Sequence, residues 1–138
     1  MFLNNSFGRS VDILHRSMDV SLLRRNVTAD NIANADTPNF KRSEVNFESE
    51  LRRAIETEND RTMEARATDP RHISFNRPVD YRTVRPAVRL DHLTTTDNNG
   101  NNVDAEVESM NLLENELMYT MMIRMVNHQF QQVNSVLA

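Results

Sequence analysis

From Tyr119 the chain places Ile123, Val126, Phe130, Val133 and Leu137 at steps of 4, 3, 4, 3 and 4. Such a run is an unbroken heptad line, and only a long α-helix brings those residues onto one face. A second line, Met110, Leu113, Leu117, Met121 and Met125, runs beside it. Asn102, Val103 and the acids Asp104, Glu106 and Glu108 precede these lines, and negative charge favours the start of a helix. The pattern predicts a helix over residues 103–137, roughly 52 Å long at 1.5 Å per residue.

A matching pattern opens the chain. Val11, Leu14, Met18 and Leu22 form one stripe, and Ile13, Val20 and Val27, joined by Leu23, form another. Asn5 or Ser6 is suited to cap the helix start. Near residue 34 the sequence Ala29–Arg42, A-D-N-I-A-N-A-D-T-P-N-F-K-R, ends the helix. Pro38 excludes Thr37 from helical geometry, so the helix stops by about Asp36. Asn31 and Asn34, three apart, share a face near that end, and Asp36, Thr37 and Asn39 supply turn chemistry around the proline.

Two apolar stripes on each terminal helix exceed what one helical partner requires. Between the helices the chain is charged and poor in apolar residues. Residues 41–91 hold eleven basic and ten acidic groups, whereas residues 102–138 hold five acids against Arg124 alone. Phe47, Leu51, Ala54 and Ile55 suggest a short amphipathic helix there, supported by Glu48 and Arg52 at i, i+4. Residues 57–71 show no apolar period. Val84, Pro86, Val88 and Leu90 alternate with Arg85, Arg89 and Asp91, as in a short edge strand. The expected division is a helix with its motif at 1–36, an irregular middle at 37–101, and a second helix at 102–138. The expected class is all-α: two long terminal helices packed as an antiparallel coiled coil, with a short helix and short β elements between them.

Chemistry is sparse. The chain has no cysteine, and its two glycines, Gly8 and Gly100, are too far apart for any glycine-rich phosphate loop. His15, His72, His92 and His128 show no ligand spacing. The Arg-rich middle is interleaved with carboxylates that would repel nucleic acid. Residues 97–108 partly imitate a calcium loop: Asp97, Asn99, Asn101 and Glu108 stand at positions 1, 3, 5 and 12. The required glycine belongs at position 6, which is Asn102, while Gly100 sits at position 4. No catalytic, cofactor or metal site is expected. Five of the eight methionines fall between Met110 and Met125, a composition suited to core or to a surface that adapts to several neighbours.

Ala29, Asn31, Ile32, Ala33, Asn34, Ala35, Asp36, Thr37 and Pro38 resemble the signature that bacterial flagellar rod, hook and hook-associated proteins carry after their N-terminal helix. That family usually has Gly-Tyr after the proline. Asn39 and Phe40 replace them here, and Asn is the next best residue to glycine in a left-handed conformation. The stretch Gly100–Tyr119, with its G-N-N-V-D entry and Asn115, Leu117 and Tyr119, resembles the C-terminal helix of the family's proximal-rod members. Thr68–Ile73 is a third, weaker similarity.

The resemblance implies a structural subunit that assembles helically around an export channel and transmits torque. It implies as neighbours other copies of itself, other rod subunits, the basal adapter protein, the MS-ring and the export apparatus. The N-terminal ten residues lack the features of a Sec signal, and no run is long enough to span a membrane. Residues alone would therefore suggest a cytoplasmic protein; the resemblance implies instead the flagellar basal body, reached without a cleaved signal peptide. The stripe residues Val11, Leu14, Met18, Leu22, Leu117, Tyr119, Ile123, Val126, Phe130, Val133 and Leu137 are then assembly residues. Two other readings compete: a free-standing coiled-coil adaptor or secreted effector, and a calcium-binding regulatory module at 97–108.

Overall fold

A computed structural model describes residues 5–59, 69, 71, 79–94 and 99–137. In chain order the elements are helix α1 (Ser6–Ala33), strand β1 (Ser43–Asn46), helix α2 (Glu48–Asn59), a single 3-10 turn (Tyr81–Thr83), strand β2 (Ala87–Leu90) and helix α3 (Ala105–Leu137). The described residues are mostly helical, with long terminal helices and one two-stranded sheet that pairs β1 with β2. The similarity at Thr68–Ile73 falls mostly outside the described residues, as do Asp97 and much of the 57–71 stretch.

Each helix end has a local cause. Asn5 occupies the N-cap of α1 in an extended conformation, and its carbonyl accepts from Arg9 N at 3.0 Å. Its side chain makes no capping bond, so only the position of the expected cap is correct. At the other end Asn34 turns back, and its Nδ2 donates at 2.8 Å to the Asp30 carbonyl, which also accepts from Asn34 N at 3.2 Å. Helix α3 begins two residues later than the sequence suggests. Asp104 is the cap: its Oδ1 accepts from Glu106 N at 2.9 Å and Val107 N at 3.2 Å. Val103 precedes the cap, and its N–H donates to Asn101 Oδ1 at 2.7 Å.

The chain divides into two compact units, Met1–Val45 with Val88–Ala138, and Asn46–Ala87. Residues 37–45, 88–94 and 99–101 thus fall in the same unit as the terminal helices. In the smaller unit Phe47, Leu51 and Ala54 are buried as the spacing on α2 requires. They are joined there by Tyr81, whose turn the sequence reading did not anticipate. Thr57 Oγ1 accepts from Val79 N at 3.3 Å within this unit.

In the larger unit α1 packs on α3, and their contacts run in opposite order along the two helices. Phe7 meets Phe130 edge to face at 5.8 Å, Ser21 meets Asn115, and Asn31 meets Glu108. The inward line of α3 differs from the expected seam. Leu112, Tyr119, Val126 and Val133 are half-buried, and the line beside them is Glu108, Asn115, Met122 and Gln129. Ile123, Phe130 and Leu137 belong to the next line round the helix and are exposed. On α1, Val20, Ser21, Thr28 and Asn31 are buried, while Leu22 is exposed. Val11, Leu14 and Met18 lie half-buried. A heptad period allows either of two adjacent lines to face inward. The polar-bearing line faces in because each of its buried polar side chains finds a partner.

Candidate functional site

The polar groups of the inward line converge at one end of the helix pair. Asn31, 1% exposed, donates from Nδ2 to Ser43 O at 2.9 Å and to Glu108 Oε2 at 3.0 Å. Its Oδ1 accepts from Ser43 N at 3.0 Å. The amide therefore bonds β1 as a neighbouring strand would. Arg24 extends that role by donating to Val45 O at 3.4 Å, so side chains of α1 close the outer edge of β1.

Glu108 is the hub. Its carboxylate also accepts from Arg42 Nε at 2.6 Å and from Asn111 Nδ2 at 3.2 Å. Arg42 pairs in addition with Glu44. Burial pulls the Arg42 guanidinium toward a lower pKa, and its bonds to Glu108 and Glu44 outweigh that and hold it above the ordinary arginine value.

The two asparagines of the G-N-N-V-D entry complete the cluster. Asn101, fully buried, donates from Nδ2 toward three carbonyls of the first motif: Asn34 at 3.0 Å, Ala35 at 2.6 Å and Thr37 at 2.9 Å. Asn102 Oδ1 accepts from Arg42 N at 2.6 Å, and its Nδ2 donates to Asp91 O at 2.8 Å and Thr94 Oγ1 at 3.1 Å. Lys41 Nζ donates to Gly100 O at 2.8 Å. Asn39 adopts φ 61 and Gly100 φ 78, and Asn39 N donates to Asn99 O at 3.1 Å. The left-handed turn expected after Pro38 is present. Among the described residues no buried side-chain polar atom lacks a hydrogen-bond partner.

The structure thus joins the two sequence motifs into one interlock. Of the expected motif residues, Asn31 and Asn34 bond by side chain, Thr37 Oγ1 donates to Asn34 Oδ1, and Ala35 and Thr37 contribute carbonyls. Ala29, Asp36 and Pro38 are exposed, as is Ala33 at the helix end, and Ile32 is half-buried. Sequence reasoning missed Ser21, Thr28, Arg42, Asn101 and Asn115 as structural residues. For Ser21, Thr28 and Asn115 the available signal was a polar residue repeating at heptad spacing, Ser21 with Thr28 and Glu108 with Asn115; Arg42 and Asn101 lie outside both helices and carried none.

Nothing in this geometry reaches toward a reactant. A groove of about 290 Å³ beside the cluster is bordered by Arg24, Arg42, Glu44, Glu108 and Glu114, so both signs of charge line it. Of the groups proposed for a calcium loop, Asn101 and Glu108 are committed elsewhere. Glu108 is held by Arg42, Asn31 and Asn111, and Asn101 Oδ1 accepts from a backbone N–H. Among the described residues no group of three or more His, Asp or Glu side chains is arranged to hold a metal ion. No helix of the described residues is long and apolar enough to cross a membrane.

What the interlock defines is a class of protein that carries both motifs together. A family model described as "Flagella basal body rod protein" matches residues 22–41, the end of α1 and the turn after it. Over nearly its whole length the chain is similar to "Flagellar basal body rod protein FlgB" of three organisms. The protein of Borreliella burgdorferi is 45% identical over 133 residues, 96% of this chain and 98% of that one. That of Borrelia hermsii is 43% identical over the same span of 133 residues. That of Bacillus subtilis is 31% identical over 132 residues, 95% of each chain. The chain belongs to the FlgB family of structural rod subunits of the flagellar basal body. The relatives are each named as a rod protein of the flagellar basal body.

Proposed function

We propose that this chain builds the proximal part of the flagellar rod by helical self-association, surrounds the export channel and transmits torque. In this reading α1 and α3 form an antiparallel coiled coil, and subunits meet through heterologous contacts, one patch against a different patch on the next copy. Its neighbours are other copies, other rod subunits, the basal adapter protein and the MS-ring. It reaches the basal body through the flagellar export apparatus without a cleaved signal peptide.

The observation that carries this reading is the outer face of α3. Leu113, Leu117, Met121 and Met125 are each more than half exposed along one helix. A row of large apolar side chains of that length marks an interaction surface on an otherwise polar chain. The methionines, flexible and polarisable, suit a surface that must accept non-identical neighbours.

The test replaces two residues of that face, Leu117→Asp with Met121→Asp. Export of the variant should continue, while cells should lack a completed rod and fail to swim. Motile cells with normal basal bodies would overturn the assembly role of this face.

A further inference from the structure

Asn115 is the last buried residue of α3; among the described residues from 116 to 137 none is buried. Its contact with α1 is reciprocal. Ser21 Oγ donates to Asn115 Oδ1 at 2.8 Å, and Asn115 Nδ2 donates to the Ser21 carbonyl at 2.9 Å. Both residues are nearly inaccessible, at 3% and 5% exposure. The interlock around Glu108 anchors the first turns of α3, and Ser21–Asn115 is the next side-chain anchor along it.

Past that anchor α3 has two ways to face α1. The inward line keeps Tyr119, Val126 and Val133 and fills the neighbouring positions with Met122 and Gln129. The alternative keeps the same three residues and substitutes Ile123, Phe130 and Leu137, an all-apolar line of which Phe130 already touches α1 through Phe7. Apolar burial alone favours the second arrangement, since it hides Ile123 and releases the amide of Gln129 to water. The chain adopts the first. A roll of α3 toward the second would carry Asn115 away from Ser21 and leave a buried amide and hydroxyl without partners.

We propose that the Ser21–Asn115 pair is a rotational lock: it selects the face that α3 turns to α1 and thereby keeps Ile123 outward. A polar residue at one seam position that sets helix arrangement is an established use of such groups in coiled coils. Ile123 is then held available by a contact lying two turns away from it.

The chain has no cysteine, so single reporters are unambiguous. Met122→Cys and Ile123→Cys are placed separately in the full-length chain, and their maleimide labelling rates are compared. With Ser21 and Asn115 intact, the thiol at 123 should react several-fold faster than the thiol at 122. With Ser21→Ala and Asn115→Leu added, the order should reverse while helicity by circular dichroism is retained. Ser21→Thr, which keeps the hydroxyl, should preserve the original order. An unchanged order in the double variant would overturn the lock. Equal rates with loss of helicity would make the pair a stability contact only, and would overturn it as well. Equal rates in the background with both residues intact would show that the arrangement is not held in solution, with the same consequence.

Discussion

Asn39 and Gly100 face each other across the interlock with positive φ, yet they tolerate change differently. At φ 78 a β-carbon on Gly100 is strained, and it would also stand 2.8 Å from Asn39 Oδ1. Gly100→Ala should therefore destabilise the chain by about 1–2 kcal/mol, the left-handed penalty for a side chain, measured by urea denaturation. Asn39→Gly keeps the turn and removes the side chain that crowds Gly100, so in the same assay it should be nearly neutral. Asn101 is the most exacting residue. Its single NH₂ group serves three carbonyls, of which those of Asn34 and Thr37 also accept backbone N–H groups; Asn101→Ala should remove about 1–3 kcal/mol, through the lost partners of the Ala35 carbonyl and the Val103 N–H. Asp91 gives a signal with pH. Its carboxylate accepts from the Thr94 hydroxyl and the Leu93 amide, which holds its pKa below the ordinary carboxylate value. A depressed folded pKa contributes stability that is present above the unfolded pKa and lost as pH falls through the folded one. The Leu93 and Thr94 amide resonances should therefore hold steady on acidification to the ordinary carboxylate range, and shift only below it.

At the scale of elements, the sheet and the helix pair depend on one carboxylate. Glu108 receives Arg42 from the stretch before β1 and Asn31 from α1. Removing it leaves the partly buried guanidinium with Glu44 alone and takes an acceptor from the buried Asn31 amide. Glu108→Ala should destabilise the fold by about 3 kcal/mol, in the range for breaking one side of a buried pair, and should lower Tm in a thermal scan. Glu116→Ala, on the exposed side of the same helix, is the control and should stay within about 0.5 kcal/mol. The contrast between two glutamates eight residues apart separates the hub from general helix charge.

At the scale of the whole molecule, a substitution at Ile123 reports on assembly more than on the isolated fold. Ile123 is 39% exposed in the single chain, so Ile123→Asp should disturb the isolated fold by no more than about 1 kcal/mol. If the outward line meets neighbouring subunits, that variant should still be exported and should still abolish motility. A large drop in monomer Tm would instead place Ile123 inside the helix pair in solution.

The sequence alone determined the two long helices, their approximate ends and the turn between Asn34 and Phe40. Periodicity and proline sterics act locally, so they are legible without knowing the fold. The short helix α2 was legible for the same reason, through Phe47, Leu51 and Ala54. What only the tertiary structure decided is which line of each helix faces inward. A heptad count favours the most apolar line, Ile123 and Phe130, but it carries no term for a polar residue whose partner lies 94 positions away. Ser21 and Asn115 are each unfavourable inside a helix pair when considered singly, and acceptable only together. Asn101 and Arg42 were unreadable on the same ground: their partners come from Asn34, Ala35 and Glu108, brought near only when the two ends of the chain meet.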